Sequence, residues 1–435
     1  MSQSTGDIEE VLQQVSETVD LSRSALQKVE QGLAEMEAHK SDPDAHSAVV
    51  GAALEKNNSE TVPQAIGIEG TPLHSAVKGV SQQAYNEIVM GNANPICGIV
   101  CLQEGGGSGT WMQVNHDLQP VSLPKPYFDA HPVYAGISSG RCIIDGQIMT
   151  RVPLVYSKFV TPESGILKDK LVRLIAPGPG EGFAPMPAFT VPNGNPRPCF
   201  WLGTYAGTDD GGTKVGSLPG KMPLVNLNFN AMLTRCSARN VDGVEGFQMW
   251  DVYMLSVLQQ LSAIEFGTTN MQTAIGRGRV DTSSANYVDE ADVAQASWRG
   301  LVGLWGNVWQ VVQGIRTDTS RYLEVWARDG SRLYKATNIA LPVFDGTNPA
   351  FAVTFDHSYG DNFDLRDFFL PKTTSTNAAL GSLGDAYWGP SGGSGGVLYL
   401  GGTWDSAARA GLFCQNLAYP ASNADTSIGC RLAKV

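Results

Sequence analysis

The chain has 435 residues, of which 49 are glycine and 24 are proline, and only 17% are charged. This composition favours turns and short strands over long helices, and the length predicts two to four domains. The formal net charge of −12 argues against sequence-independent binding to nucleic acid or to an anionic membrane, because both require a basic surface. No apolar run approaches the roughly 18 residues of a membrane span, and the N-terminus lacks the features of a signal peptide. We therefore expect neither membrane insertion nor Sec export.

The seven cysteines are an odd number at irregular spacing. This pattern is typical of reduced, buried thiols and favours assembly in a cytoplasm. Cys97 and Cys101 are close in sequence, but no second cysteine or histidine pair follows at zinc spacing. The sequence therefore predicts no metal site there.

Residues 1–40 carry a heptad repeat. Position a is occupied by Leu12, Val19, Leu26 and Leu33, and position d by Ile8, Val15, Val29 and Met36, with Ser22 in the one gap. Leucine at a with β-branched residues at d disfavours a two-stranded coil, so the pattern predicts a parallel trimeric or tetrameric stalk. An amphipathic helix on a globular core is the weaker interpretation, since the 3.5-residue period holds over about four heptads.

Residues 41–95 are predicted to form a neck. Pro43 ends the helical pattern, and residues 45–51 are echoed by residues 73–79. Small repeated units that cannot bury a face alone usually stack, here around the oligomer axis. His46 and His74 could line that axis as ion ligands, although ordinary packing is the commoner role for isolated histidines.

The remaining sequence predicts a β-rich body. Residues 96–126 are typical of a β-hairpin connector with a glycine-rich tip, and residues 127–159 of a second β stretch. Residues 176–198 are rich in proline and glycine and predict a surface loop, whereas Asp209 to Gly212 predict a plain turn. Residues 246–266 predict a helix with one apolar face lying across a sheet. Residues 322–327 and 333–336 predict a hairpin about Asp329-Gly330.

Residues 298–315 contain three of the nine tryptophans, Trp298, Trp305 and Trp309. The apolar residues are nearly continuous and are interrupted by glycines. This stretch is therefore predicted to be a buried strand with tight turns, packed from both sides.

Three short motifs follow one another along the body: Gly-Asn-Val-Trp-Gln at 306–310, Gly-Gly-Thr-Trp at 401–404 and Ile-Gly-Cys-Arg at 428–431. They resemble the GNVWE, GGSW and GFR landmarks of the formylglycine-generating-enzyme variant of the C-type lectin fold. That fold also carries the receptor-binding domains of phage tropism determinants, and residues 145–159 and 264–272 are similar to phage tail-fibre proteins. The resemblance implies an α+β chain: an N-terminal parallel coiled coil and neck, then a β-rich C-type-lectin-like domain over residues 127–435.

The departures from the enzyme decide against oxidase chemistry. The resemblance would require two closely spaced copper-binding cysteines after the Gly-Gly-Thr-Trp motif, but residues 403–413 contain none and Cys414 and Cys430 are sixteen positions apart. Residues 392–396 match G-x-S-x-G, yet the strand-elbow-helix context of a nucleophilic Ser394 is missing. We therefore expect no enzyme, no catalytic residue and no bound metal. A glycosidase dyad assembled from distant strands stays open.

Calcium is the one cofactor for which the sequence offers candidate ligands. The carboxylates of Asp356, Asp361, Asp364 and Asp367 could supply oxygen ligands, although their spacing is not that of an EF-hand and acidic turns are usually only solvated.

The segment 385–423 has the composition of a paratope, with aromatic residues among Gly, Ser, Asn and Asp. The alternative is that half of these aromatics are core, as strand alternation requires. We predict these receptor-binding residues: Tyr387, Trp388, Trp404, Asp405, Ser406, Arg409, Asn416, Tyr419 and Asn423.

The sequence as a whole predicts a trimeric adhesin attached to a virion protein through its stalk, as a tail or head fibre, and assembled in the host cytoplasm. Its C-terminal loops would recognise a host-surface glycan or protein. The alternatives are a virion-associated polysaccharide-degrading enzyme and a purely structural head or tail fibre.

Overall fold

The structure is a computed structural model that describes residues 95–288, 296–344, 346, 348–391 and 395–435. The chain divides into two units, Met1–Asn92 and Ala93–Val435. The predicted stalk and almost all of the predicted neck, including His46 and His74, lie outside the described residues, as does Ser394. The second unit is called the body below.

The body is β-rich and has few helices. Its strands are, in chain order, β1 (Cys97–Gln103), β2 (Thr110–Asn115), β3 (Pro120–Val121), β4 (Arg141–Ile144), β5 (Gln147–Pro153), β6 (Tyr156–Val160), β7 (Val172–Ala176), β8 (Ala184–Pro185), β9 (Cys199–Gly203), β10 (Thr208–Asp210), β11 (Lys214–Gly216), β12 (Phe247–Met249), β13 (Trp309–Thr317), β14 (Tyr322–Trp326), β15 (Tyr334–Ala340), β16 (Ala350–Phe355), β17 (Tyr359–Gly360), β18 (Phe363–Asp364), β19 (Pro371–Ser375), β20 (Ala386–Trp388), β21 (Val397–Leu400), β22 (Gln415–Asn416), β23 (Ile428–Cys430) and β24 (Leu432–Lys434).

The α-helices of the described residues are α1 (Lys125–Ala130), α2 (Pro132–Ser138), α3 (Phe229–Ser237), α4 (Val252–Phe266) and α5 (Met271–Ala274). Short 3₁₀ turns occur at Pro187–Phe189, Leu365–Asp367, Ala378–Leu380 and Ala407–Arg409. None of the helices in the described part of the chain is long and apolar enough to cross a membrane.

The predicted hairpin at the start of the body is confirmed, because β1 and β2 pair antiparallel. Strand β1 also pairs with β7, and both belong to a six-stranded sheet with the order β3-β2-β1-β7-β6-β8. Val100, Val114 and Val172 are buried together in one cluster. The hairpin is therefore continuous with the body and does not form a separate connector.

Strand β13 organises the largest sheet, which has nine strands in the order β15-β14-β13-β21-β22-β20-β16-β19, with β23 paired to β13 in parallel. The prediction for residues 298–315 is confirmed: Trp298 and Trp305 are buried, and Trp309, which begins β13, is half-buried. The hairpin of β14 and β15 is also confirmed.

Helix α4 differs from its prediction in two ways. It begins at Val252, because Phe247–Met249 is a strand and the Asp251 carboxylate caps the helix by accepting from the N–H groups of Tyr253 and Met254. It is also buried on every side, whereas one apolar face was predicted. Gln259 and Gln260 tolerate this burial because their side-chain amides donate to the carbonyls of Leu412 and Asp367 at 2.9 and 3.1 Å.

A five-stranded sheet, ordered β12-β24-β9-β5-β4, closes the body. Arg431 immediately precedes β24 and is fully buried. Its guanidinium donates to five oxygen atoms: the Gln310 side-chain oxygen and the carbonyls of Gly203, Thr204, Val302 and Gly303, at 2.6 to 3.2 Å. Burial lowers the pKa of Arg431 to about 9. The residue therefore ties the last strand to the 298–306 turns and to β13.

Two other predictions are wrong in part. The β stretch at 127–159 begins with α1 and α2, each of which has proline in its first turn, a position that suits the fixed φ of that residue. The loop at 176–198 is not wholly on the surface, since Met186 and Phe189 are buried. The middle of this segment is in the core because its side chains are apolar, although its proline and glycine content predicted a surface loop.

Candidate functional site

The Gly-Gly-Thr-Trp loop lies beside the segment that follows α5. Ala407 donates its N–H to the Val280 carbonyl at 2.9 Å, and Thr282 donates its N–H to the Trp404 carbonyl at 2.7 Å. These bonds hold residues 403–409 and 277–287 together as one surface, which we call the GGTW face.

Asn307 supports the GGTW face from below. Its side chain accepts from the Asn286 N–H at 2.8 Å and donates to the Asn286 carbonyl at 2.9 Å. Its backbone N–H donates to the Arg279 carbonyl at 2.7 Å, and its carbonyl accepts from the Trp404 N–H at 3.1 Å. The residue adopts a left-handed conformation, with a φ of 62°, which asparagine tolerates better than most residues. Asn307 thus holds both segments by hydrogen bonds to their backbone groups.

The outer side of the GGTW face is polar with one prominent aromatic ring. Tyr287 is 58% exposed, and Asp405 and Arg409 are exposed beside the half-buried Trp404. The Arg277 guanidinium donates to Asp281 at 2.9 Å, and this contact lowers the pKa of the Asp281 carboxyl. Both charges are open to solvent, so the pair contributes little to folding.

Four of the predicted residues lie in the GGTW face. Trp404, Asp405 and Arg409 contribute to its surface, whereas Ser406 is buried. The Ser406 hydroxyl accepts from the Thr403 N–H at 2.8 Å and therefore shapes the loop from inside.

A second group of predicted residues lies by the nine-stranded sheet: Trp388 in β20, and Tyr419 and Asn423 in the segment after β22. Trp388 packs edge-on against Trp309 with ring centroids 5.4 Å apart, and Tyr419 packs edge-on against Tyr399 at 6.1 Å. Burial raises the pKa of Tyr399 to about 12, and a hydrogen bond with the Asn423 side chain acts in the opposite direction. Tyr419 is exposed, while Trp388 and Asn423 are half-buried.

Tyr387 and Asn416 were expected in loops, but the structure places them in strands β20 and β22 and buries both. The Tyr387 hydroxyl donates to the Pro342 carbonyl at 3.2 Å, and burial raises its pKa. The Asn416 side chain accepts from the Ala418 N–H at 2.9 Å. In this conformation neither side chain can touch a large partner. Strand alternation accounts for the difference, because one face of each strand must point inward.

Sequence reasoning missed the segment 277–287. It combines Arg277, Asp281, Asn286 and Tyr287 with glycine and serine, the same aromatic and polar mixture that marked the tail. Composition could have found it, but only the structure places it next to residues 403–409.

Two of the four carboxylates considered as calcium ligands form ion pairs with arginine. Asp367 lies 2.8 Å from the Arg328 guanidinium, and Asp364 lies 2.8 Å from that of Arg366. Asp361 is exposed and apart from these ion pairs. Among the described residues, no group of three or more His, Cys, Asp or Glu side chains is placed to hold a metal ion.

No family model and no curated protein matches the chain. Solved structures show weak similarity. Treponema denticola variable protein 1 aligns at 13% identity and a TM-score of 0.32, covering 68% of this chain and 98% of its own. The Major Tropism Determinant U1 variant aligns at 14% identity and a TM-score of 0.25, covering 66% of this chain and 62% of its own. PvdO from Pseudomonas aeruginosa aligns at 12% identity and a TM-score of 0.23, covering 66% of this chain and 94% of its own. At these TM-scores the similarities carry no argument about function.

Proposed function

We propose that this chain is a phage adhesin that recognises a glycan or protein on the host-cell surface through the GGTW face. In this proposal the body is a C-type-lectin-like domain, and residues 1–40 form the trimeric stalk that attaches it to the virion as a tail or head fibre. The body needs no metal and performs no catalysis in this role.

The observation that carries the proposal is the contrast between the base and the surface of the GGTW face. Backbone hydrogen bonds and Asn307 fix the base, so binding would lose little conformational entropy there. The surface offers Tyr287 and Trp404 for contact with apolar patches or sugar rings, and charged groups for hydrogen bonds. The sequence landmarks support the same assignment, because they occur in the order that the lectin-like family shows.

Trimeric assembly would compensate for weak individual sites. Three GGTW faces on one stalk convert later binding events into intramolecular ones, so avidity can exceed the affinity of a single face by a factor of about 10² to 10⁴. An exposed face with one large aromatic ring at its surface is suited to such weak contacts.

The test is binding of the fluorescently labelled full-length chain to a panel of bacterial cells, before and after enzymatic removal of surface polysaccharide. On cells that bind it, the combined change Tyr287→Ala, Trp404→Ala and Arg409→Ala should reduce retention by about tenfold or more, since it removes the aromatic and charged contacts of the face. A second variant, Trp388→Ala with Tyr419→Ala, tests the aromatic pairs of the nine-stranded sheet.

Tyr322→Ala is the matched control, because Tyr322 is also an exposed tyrosine, at 44%, but belongs to β14. It should bind as the native chain does. Unchanged binding of the triple variant would remove the GGTW face from the proposal, and absence of binding across the panel would contradict the adhesin itself. Loss of binding after polysaccharide removal would identify a glycan receptor, and retention would identify a protein. Light scattering at a single chain mass would contradict the trimer.

A further inference from the structure

An open cleft lies between the 187–197 segment and the turn that joins β14 to β15. Arg197 and Arg332 line it from opposite segments, together with Thr190, Trp326 and the buried Asp251. The cleft shares no residue with the GGTW face.

Two backbone features of the turn bring Arg332 to this cleft. Gly330 has a φ of +80°, and a Cβ atom there would lie 2.6 Å from the Thr190 carbonyl oxygen, so only glycine permits this close approach. Arg332 itself has a φ of 58°, a conformation that is uncommon for a side chain of its size. A non-glycine residue held in this region at a cleft is a reason to look for function.

The two guanidinium groups lack carboxylate partners. In the described part of the chain neither forms an ion pair. Arg197 donates to the Ala188 carbonyl at 3.3 Å, and Arg332 lies 5.6 Å from the Trp326 ring centroid. Burial lowers the pKa of Arg197, the like charge of Arg332 lowers it further, and the Asp251 carboxylate acts in the opposite direction. An arginine nevertheless stays protonated in proteins, so two positive charges face one opening.

Asp251 does not neutralise the arginines as a hydrogen-bonding partner. One of its carboxylate oxygens accepts from the N–H groups of Tyr253 and Met254 at 3.0 and 2.9 Å. The other accepts from the Gln248 amide at 3.3 Å. The Asp251 carboxylate caps α4 and attracts both guanidinium groups electrostatically. No hydrogen bond joins it to either of them, so the guanidinium donors remain available to a ligand.

We propose that this open cleft binds a small oxyanion, the carboxylate or phosphate group of a ligand whose remainder lies in solvent, between the guanidinium groups of Arg197 and Arg332. Planar guanidinium groups match both kinds of oxyanion with paired hydrogen bonds. The site is independent of the adhesin role, because it depends on no residue of the GGTW face.

The test is isothermal titration of the full chain at low ionic strength with sodium glucuronate, sodium phosphate and, as the neutral probe, glucose. Arg332→Gln and Arg197→Gln should each weaken binding of the anion by about tenfold or more, because each removes a charge-assisted hydrogen bond. Arg321→Gln is the matched control. Arg321 is also an exposed arginine in a left-handed turn, with a φ of 73°, but lies outside the cleft.

Binding of glucuronate alone would assign a sugar-acid ligand, binding of phosphate alone a phosphorylated one, and either result supports the site. No heat with either anion at about 10 mM, where even weak sites register, would overturn the proposal. So would equal binding by Arg332→Gln and the native chain. Arg332 is exposed, so its variant should fold and decides the question even if Arg197→Gln does not. Trp404→Ala should bind the anion normally, which separates this site from the GGTW face.

Discussion

Arg431 in the interior and Arg409 on the GGTW face carry the same guanidinium group in opposite surroundings. Arg431 is fully buried and donates to five oxygen atoms. Arg409 is exposed and makes one hydrogen bond, to the Ser406 carbonyl at 3.3 Å. Arg431 uses its donors within the fold, whereas most donors of Arg409 are open to solvent. The difference predicts that interior substitutions change stability and face substitutions change binding.

The largest effect is expected for Arg431→Met. Methionine fills much of the volume but removes all five donated hydrogen bonds. The Thr204 and Gly303 carbonyls keep other donors, whereas the Val302 carbonyl and the Gln310 side-chain oxygen lose theirs, at a cost of about 1 to 3 kcal/mol each. Relief of the buried charge offsets part of this loss. We expect the free energy of unfolding to fall by about 4 kcal/mol or more, measured by urea denaturation. Arg409→Ala should change it by less than about 0.5 kcal/mol. Equal shifts of the two midpoints would contradict the comparison.

Gly306 lies between the interior and the GGTW face. Its substitution should therefore change both the stability of the fold and the binding of the face. Its φ is +75°, and an added Cβ would lie 2.8 Å from the Arg279 carbonyl oxygen. Gly300 has a φ of +87° and open space around its Cβ position. Left-handed backbone costs alanine about 1 to 2 kcal/mol at either site, and we expect Gly306→Ala to cost about 3 kcal/mol in total because the clash adds to it.

Cell binding distinguishes the same two variants. Arg279 belongs to the GGTW face. Gly306→Ala should therefore also weaken cell binding, and Gly300→Ala should not. Identical stability and binding for both would show that the crowding at Gly306 has no consequence.

The smallest effect concerns a buried titratable group. Burial lowers the pKa of His131 from 6.5 to about 4. Below pH 6.5 the unfolded chain therefore takes up a proton that the folded chain refuses, so stability is lost as the pH falls from 6.5 to 4. The shift corresponds to about 2 to 3 kcal/mol at pH 4. His131→Asn retains an acceptor for the Val133 N–H and should make thermal stability less sensitive to acid over that window. A variant curve parallel to the native one would refute this.

The sequence predicted the features that local chemistry controls. The β1–β2 hairpin, the Asp329-Gly330 turn and the buried tryptophan stretch depend on residue types within a few positions of one another. Helix α4 was located but misjudged, since its burial on every side depends on carbonyls at Leu412 and Asp367 that lie far along the chain. The helical start of the 127–159 segment had a local signal, proline before an apolar run, that was outweighed by the β-rich sequence after it.

The candidate site was predictable only in part for the same reason. Trp404 and Arg409 were found from composition, whereas Tyr287 enters the site through long-range backbone pairing that no local pattern encodes. Tyr387 and Asn416 share the tail's composition but lie on inward faces of their strands, and composition alone cannot distinguish the two sides of a strand.

Strand β24 has a consequence for the synthesis of the chain. It fills the position between β12 and β9, and Arg431 reaches back 228 residues to the Gly203 carbonyl. At about 5 to 20 residues per second, a ribosome needs roughly 10 to 45 s to make that interval. During this time one edge of β9, and the edge of β12 once it has been made, lack the partner strand and are exposed to other nascent chains. The five-stranded sheet should therefore form only after Leu432–Lys434 has left the ribosome, and chaperone dependence should be greatest in the interval before that.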